Sequence, residues 1–261
     1  FGDCLKTMKS GGFLDLDSKA GKAPGGYNYP LYESGIPFIF MNAAGQMSDV
    51  TTMVHEGGHA IHSVLTRDLD YVPFRNIPSE IAELASMSME LVSMEHWDSF
   101  FSDTKDLTEA RKEQLEQIIV ALPWIAAIDQ FQHWIYTHPG HNATERREEW
   151  HRINKLFSSS VVDYTGFEEV FDNQWQKQIH LFQYPFYYIE YGIAQLGALA
   201  VWRNYVSSPE KSVAQYLSAL KLGYSADMAT VYETAGIKFD FSQSYVRELA
   251  TFLMSRLDKL D

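Results

Sequence analysis

The segment Val50-Thr51-Thr52-Met53-Val54-His55-Glu56-Gly57-Gly58-His59-Ala60-Ile61-His62 sets two histidines four residues apart, with a glutamate directly after the first. In a helix that spacing puts His55 and His59 on one face, one turn apart, where two imidazole nitrogens reach a single Zn²⁺. Glu56 then stands beside the ion rather than on it, the place for a general base acting on a water whose pKa the ion lowers. Gly57 and Gly58 weigh against a helix kept for stability alone, since each costs about 1 kcal/mol relative to Ala in a helix interior. Another group is expected to approach that backbone closely.

A third ligand is expected from further along the chain. Pro78-Ser79-Glu80-Ile81-Ala82-Glu83-Leu84-Ala85-Ser86-Met87-Ser88-Met89-Glu90 offers three carboxylates. Glu80 follows Ser79, a suitable N-cap, and an acid in a first turn is accounted for by the helix dipole. Glu83 lies deeper, among Leu84 and Met87, where an unpaired carboxylate is expensive; it is the better ligand. Glu90 is two turns on from Glu83 along the same face, placed either to accept a hydrogen bond from a ligating His or to serve as a satisfied structural carboxylate. His62 lies three residues past His59. Its ligation would overfill a site that needs an open position, so support or packing is expected of it.

Composition narrows the alternatives. With 261 residues and 46% hydrophobic content the chain can bury a full core, as one large domain or two small ones. A net charge of −13 and the lack of any Lys/Arg block argue against nucleic-acid binding. Cys4 is the one cysteine, which rules out an intrachain disulfide and a thiolate zinc cluster and suits a reducing cytoplasm. No uninterrupted run approaches 18 apolar residues, so no membrane association is expected. The opening Phe1 to Lys9 reads as the continuation of a longer chain.

Residues 10 to 30 are rich in Gly and Pro and read as loops around short strands, with Phe13-Leu14-Asp15-Leu16-Asp17 alternating as one strand. Pro37-Phe38-Ile39-Phe40-Met41 is an apolar strand leading into the His-Glu helix, with Ser48 or Asp49 as its cap. It is expected either at a sheet edge, where an extended peptide could add, or as a plain structural strand. Residues 106 to 137 form one or two long helices with Pro123 as a kink or break, and the run Ile118 to Ile128 is expected in the interior. His133, His138, His141 and His151 follow at irregular spacing, form among themselves no i, i+4 pair with an adjacent acid, and read as surface or helix-end residues. Four helices with Gly and Pro punctuation follow Ala194.

A second constellation lies in His180-Leu181-Phe182-Gln183-Tyr184-Pro185-Phe186-Tyr187-Tyr188-Ile189-Glu190-Tyr191-Gly192. A Tyr hydroxyl and an imidazole N–H are the donors a tetrahedral oxyanion needs, each worth up to about 4 kcal/mol. Tyr184 and Tyr191 are seven apart, which in a continuous helix would put them on one face two turns from each other.

His55-Glu56-Gly57-Gly58-His59-Ala60 with Ile81-Ala82-Glu83-Leu84-Ala85-Ser86 resembles the zinc signature of the oligoendopeptidase F and thimet oligopeptidase family. In that family the ligating Glu lies about two dozen residues past the second His; here 23 residues separate His59 from Glu83 and 20 separate it from Glu80. The Lys22 to Tyr27 run and the 180–191 segment are also similar to the family's, although the His180-to-Tyr184 interval is one residue shorter than in thimet oligopeptidase and Phe182-Gln183 replaces a Gly-rich turn. The resemblance covers nearly the whole chain. It implies a mainly α, helical zincin-like catalytic domain over residues 1–261, with a small β-sheet near residues 13 to 41. It implies one Zn²⁺ held by His55, His59 and Glu83, Glu56 as base, and Tyr184, Tyr191 and His180 as oxyanion donors. The substrates implied are short unstructured peptides cut internally. The alternatives are an exopeptidase, for which neither motif supplies an obvious Arg or Lys to hold a free terminus, and a fragment that binds zinc or peptide without turnover.

Overall fold

The structure, a computed structural model, describes residues 2–260. The chain runs α1 (Gly2–Gly11), β1 (Leu14–Asp17), β2 (Gly26–Leu31), β3 (Ile36–Ala43), α2 (Met47–Thr66), α3 (Ser79–Met94), α4 (Thr104–Thr137), α5 (Ala143–Phe157), α6 (Glu168–Asn173), α7 (His180–Gln183), α8 (Tyr188–Ser207), α9 (Pro209–Leu220), α10 (Met228–Thr234) and α11 (Gln243–Leu257). It divides into two compact units, Phe1–Leu115 with Ala194–Asp261, and Glu116–Ile193. This is the mainly helical fold with a small N-terminal sheet that the sequence implies.

In the first unit the sheet has the order β1-β3-β2, with β1 parallel and β2 antiparallel to β3. The strand ahead of the His-Glu helix is therefore central, which excludes the edge reading and leaves the structural one. The edges are β1 and β2, the latter a stretch whose Gly and Pro read as loop. Register explains how it works as a strand. Pro30 faces Pro37 and Asn28 faces Ile39, and two prolines can oppose each other only where neither is asked to donate between the strands. Ile39 accordingly turns its N–H the other way, to the Phe13 carbonyl at 3.0 Å. By the same alternation Gly26, Asn28 and Pro30 direct their main-chain groups away from β3, along the free edge. Tyr27 stacks on Phe40 at 4.9 Å across the pair.

The buried face of β3 joins Met8, Ile39, Met41 and Ala60 in a core beneath the sheet. α2 begins after Gln46 rather than at Ser48 or Asp49, but Asp49 does the capping from inside the helix: its Oδ2 accepts from the N–H groups of Ala44, Gly45 and Gln46 at 2.7–2.9 Å. α3 likewise starts at Ser79 itself, with Pro78 in the cap position. Behind these two helices, Tyr216 of α9 donates to the Ala85 carbonyl at 2.6 Å.

In the second unit, Ala127, Ile128 and Phe131 of α4 pack with Trp150, Ile153 and Trp175. α4 continues unbroken through Pro123, and Val120, expected inside, is 70% exposed. α4 is also the one helix among the described residues long and apolar enough to cross a membrane by length and mean hydropathy. Such a span also describes a helix contributing to a folded core, which α4 does here.

Candidate metal centre

α2 and α3 touch at Gly58, and the reason for that glycine is steric. A Cβ there would stand 2.7 Å from Ser86 Cα and 2.9 Å from the Ala85 carbonyl oxygen, distances that only the missing side chain permits. Gly57 meets nothing within 4 Å, so the expected close approach holds for one glycine of the pair.

With the helices so close, three donor atoms converge. His55 Nε2 lies 3.4 Å and His59 Nε2 3.9 Å from Glu83 Oε2. Among the described residues this is the one group of three His, Cys, Asp or Glu side chains able to hold a metal ion, with all three donor atoms within 4.8 Å of one another. Two imidazoles and one carboxylate form a donor set that suits Zn²⁺. Glu80 is not in the group.

A ring of hydrogen bonds holds the donors in place. The second nitrogen of His55, Nδ1, pairs with Glu90 Oε1 at 2.6 Å, which leaves Nε2 for the ion. Glu90 Oε2 accepts from Gln114 Nε2 of α4 at 2.6 Å, and Thr51 donates to Gln114 Oε1 at 3.2 Å. Ser86 donates to Glu83 Oε2 at 3.0 Å. Glu90 thus takes the supporting position read from its two-turn spacing. Gln114 carries no spacing signal, and Ser86 also went unread. Ser86, three residues past Glu83 on the same helix face, could have been proposed.

Electrostatics follow from this packing. Burial disfavours charge on His55, yet the hydrogen bond to Glu90 and the charges of Glu90, Glu83 and Glu56 outweigh it and raise its pKa to about 9. His59 is lowered to about 3, by burial first and then by the charges of His55 and His62, so its ring is a neutral donor at ordinary pH. Burial raises Glu83 and Glu56 above the usual carboxylate range. Glu56 is buried and accepts a hydrogen bond from the outward-facing Asn28 N–H of β2, which works against that rise. His62 is buried, hydrogen-bonded to the Leu220 carbonyl of α9, and lowered to about 4 by desolvation; it braces α2 and is not among the three donors.

His180, Tyr184 and Tyr191 lie in the second unit, where they form their own cluster. The His180 ring is 6.5 Å from that of Tyr184 and 5.7 Å from that of Tyr191. The expected continuous helix is interrupted. α7 ends at Gln183, Tyr184 caps it, and Phe186 adopts φ 62° before α8 starts at Tyr188. A non-glycine residue in that region is strained; the Phe186 N–H donating to Gln132 Oε1 at 3.0 Å and the ring contacts with His133 and Tyr136 hold it there. Burial lowers His180, and Gln178 Nε2 lies 2.6 Å from its Nδ1.

Known proteins resemble this chain in sequence and fold. The oligopeptidase PepF of Bacillus subtilis (strain 168) is 24% identical over all of this chain and 39% of its own length. The chromosomal oligoendopeptidase F of Lactococcus lactis subsp. cremoris is 24% identical over 95% of this chain and 41% of its own. The chain therefore spans about two fifths of the length of these curated relatives. The solved structure of PZ peptidase A with an inhibitor superimposes with a TM-score of 0.88 at 29% identity, over all of this chain and 46% of that one. The family model that matches residues 2–251 takes in the ligand helices, the edge strand and the aromatic segment together, and on that extent of agreement the chain belongs to Peptidase family M3.

Proposed function

We propose that this chain carries the catalytic machinery of a zinc-dependent endopeptidase acting on short, unstructured peptides. The observation that supports it most is the division of labour within one buried cluster: three donors converge on a common point, while Glu56, one residue from His55, is held outside that set by the Asn28 N–H.

His55, His59 and Glu83 would hold Zn²⁺, which when bound supplies Lewis acidity toward a water and the scissile carbonyl. The Glu56 carboxylate takes a proton from the attacking water and delivers it to the leaving amine nitrogen. Its raised pKa suits that exchange better than an ordinary surface carboxylate would. The outward carbonyls of Gly26, Asn28 and Pro30, with the Gly26 N–H, offer an extended peptide a strand to pair with. The role of His180, Tyr184 and Tyr191 as oxyanion donors belongs to the same proposal and rests on the family resemblance.

Mass spectrometry of products from a length series of peptides blocked at both ends, with and without chelator, tests the reading. Internal cleavage that the chelator stops and that fades with peptide length is expected. Cleavage only of peptides with one free terminus would replace it with an exopeptidase, and no cleavage at any length would overturn it.

A further inference from the structure

Beside His59 the first unit contains a cleft of about 680 Å³, whose walls include Asn28, Tyr32, Arg75, Asn76 and Tyr224. Its charge is unlike that of the chain around it. The protein carries 34 Asp and Glu against 21 Lys and Arg, yet none of the acids lines this cleft, and Arg75 is the one Lys or Arg that does.

Arg75 is half-buried and fixed in orientation. Its Nε and Nη2 both donate to the Leu69 carbonyl, at 3.0 and 2.6 Å. A guanidinium presents five N–H groups in one plane, so this fork uses one edge and leaves the Nη1/Nη2 edge for another acceptor. Arg67 nearby in sequence is paired with Asp68, and Arg203 with Glu248. Arg75 has no carboxylate within ion-pair distance among the described residues. Asn76 adds a neutral donor to the same wall: its Oδ1 accepts from the Tyr32 hydroxyl at 3.3 Å, which leaves the Nδ2 hydrogens for a ligand.

A fixed guanidinium edge with no carboxylate in ion-pair contact among the described residues, in a cleft shared with a metal-donor histidine, matches a carboxylate in shape and sign. We propose that Arg75 is a specificity-determining residue that binds a carboxylate of the peptide, from an Asp or Glu side chain or from the C-terminus. The inference rests on the peptidase reading above and extends it: the sequence motifs show no cation for a substrate carboxylate, and the fold brings one from eight residues before Glu83. The acidic exterior slows the approach of acidic peptides, while the cleft holds those that arrive.

The test uses the zinc-loaded protein and peptides of one backbone blocked at both ends, with Glu, Gln or Lys at each position in turn. A further set carries Gln throughout and a free C-terminal carboxylate. Dissociation constants are read by fluorescence anisotropy on the Glu56→Gln variant, and kcat/KM on the unsubstituted protein. A preference of about tenfold for Glu over Gln at one position, or for the free over the amidated terminus, is expected, and which set shows it identifies the source of the carboxylate. Arg75→Met should bring that ratio to about one. Arg75→Glu should invert it in favour of Lys at the same position, which a merely structural arginine would not do. Ratios near one for the unsubstituted protein in every set would overturn the proposal, as would a preference that survives Arg75→Met. Absence of hydrolysis with a clear binding preference would overturn the peptidase reading while supporting the carboxylate site.

Discussion

From His55 to Glu90, the side chains of the metal cluster and its support come from two unbroken helices. From His180 to Tyr191, three side chains with a claim to the chemistry come from a chain that ends one helix, turns through a left-handed Phe186 and starts another. In the first region His55 and Glu83 are held by hydrogen bonds of 2.6–3.0 Å, and the helices that carry the three donors pack closely at Gly58. In the second, Tyr184 is 58% exposed and its neighbours are mostly other aromatic rings. The contrast teaches how far spacing can be used. Intervals of four and seven translate into a shared face only while the hydrogen-bond ladder of one helix continues. Past Tyr184 the interval of seven no longer means two turns.

The comparison can be broken most severely at Glu56. Glu56→Gln should lower kcat/KM by about 10²–10⁴-fold while zinc content, measured by atomic spectrometry, stays at one per chain. Hydrolysis near the unsubstituted rate would remove Glu56 from the mechanism and leave the ordered region without its chemistry. Next in size is Tyr191→Phe, expected to cost about 10²–10³ in kcat with metal retained. Tyr184→Phe, at the exposed cap of α7, should cost less, and equal losses would show that the break in the helix has no bearing on which hydroxyl acts.

Support of the donors is the third point of attack. Glu90→Gln should weaken zinc binding about 10- to 100-fold in a chelator competition, because the His55 ring then loses its carboxylate partner. Unchanged affinity would mean that the two helices position His55 without help. The smallest effect separates the two glycines. Gly58→Ala should destabilise the protein by about 1–3 kcal/mol in denaturant titration, since the added methyl meets Ser86 and Ala85. Gly57→Ala has open space and should stabilise by up to about 1 kcal/mol. Similar shifts for both would refute the steric account of the helix contact.

Much of the cluster was legible in sequence because its parts are local: a four-residue interval on α2, a seven-residue interval on α3 and a burial argument that set Glu83 above Glu80. What was hidden is set by contacts between distant segments. Gln114 reaches Glu90 from α4, a partnership with no periodic trace. β2 looked like loop because Gly26 and Pro30 are poor strand formers, and only the pairing of Pro30 with Pro37 shows why they are tolerated. Arg75 escaped notice for the same reason: its meaning lies in the acid-free cleft that the fold assembles around it.

The free edge of β2 has a further consequence, for the protein's behaviour in concentrated solution. A strand able to accept a peptide is equally a template for another copy of itself, and exposed edges of this kind seed sheet-by-sheet aggregation. Here the edge is six residues long, begins with glycine, and carries at Pro30 a position that offers an acceptor and no donor. A short guest can dock along such an edge, but an incoming strand that tried to extend the sheet would soon find the ladder interrupted.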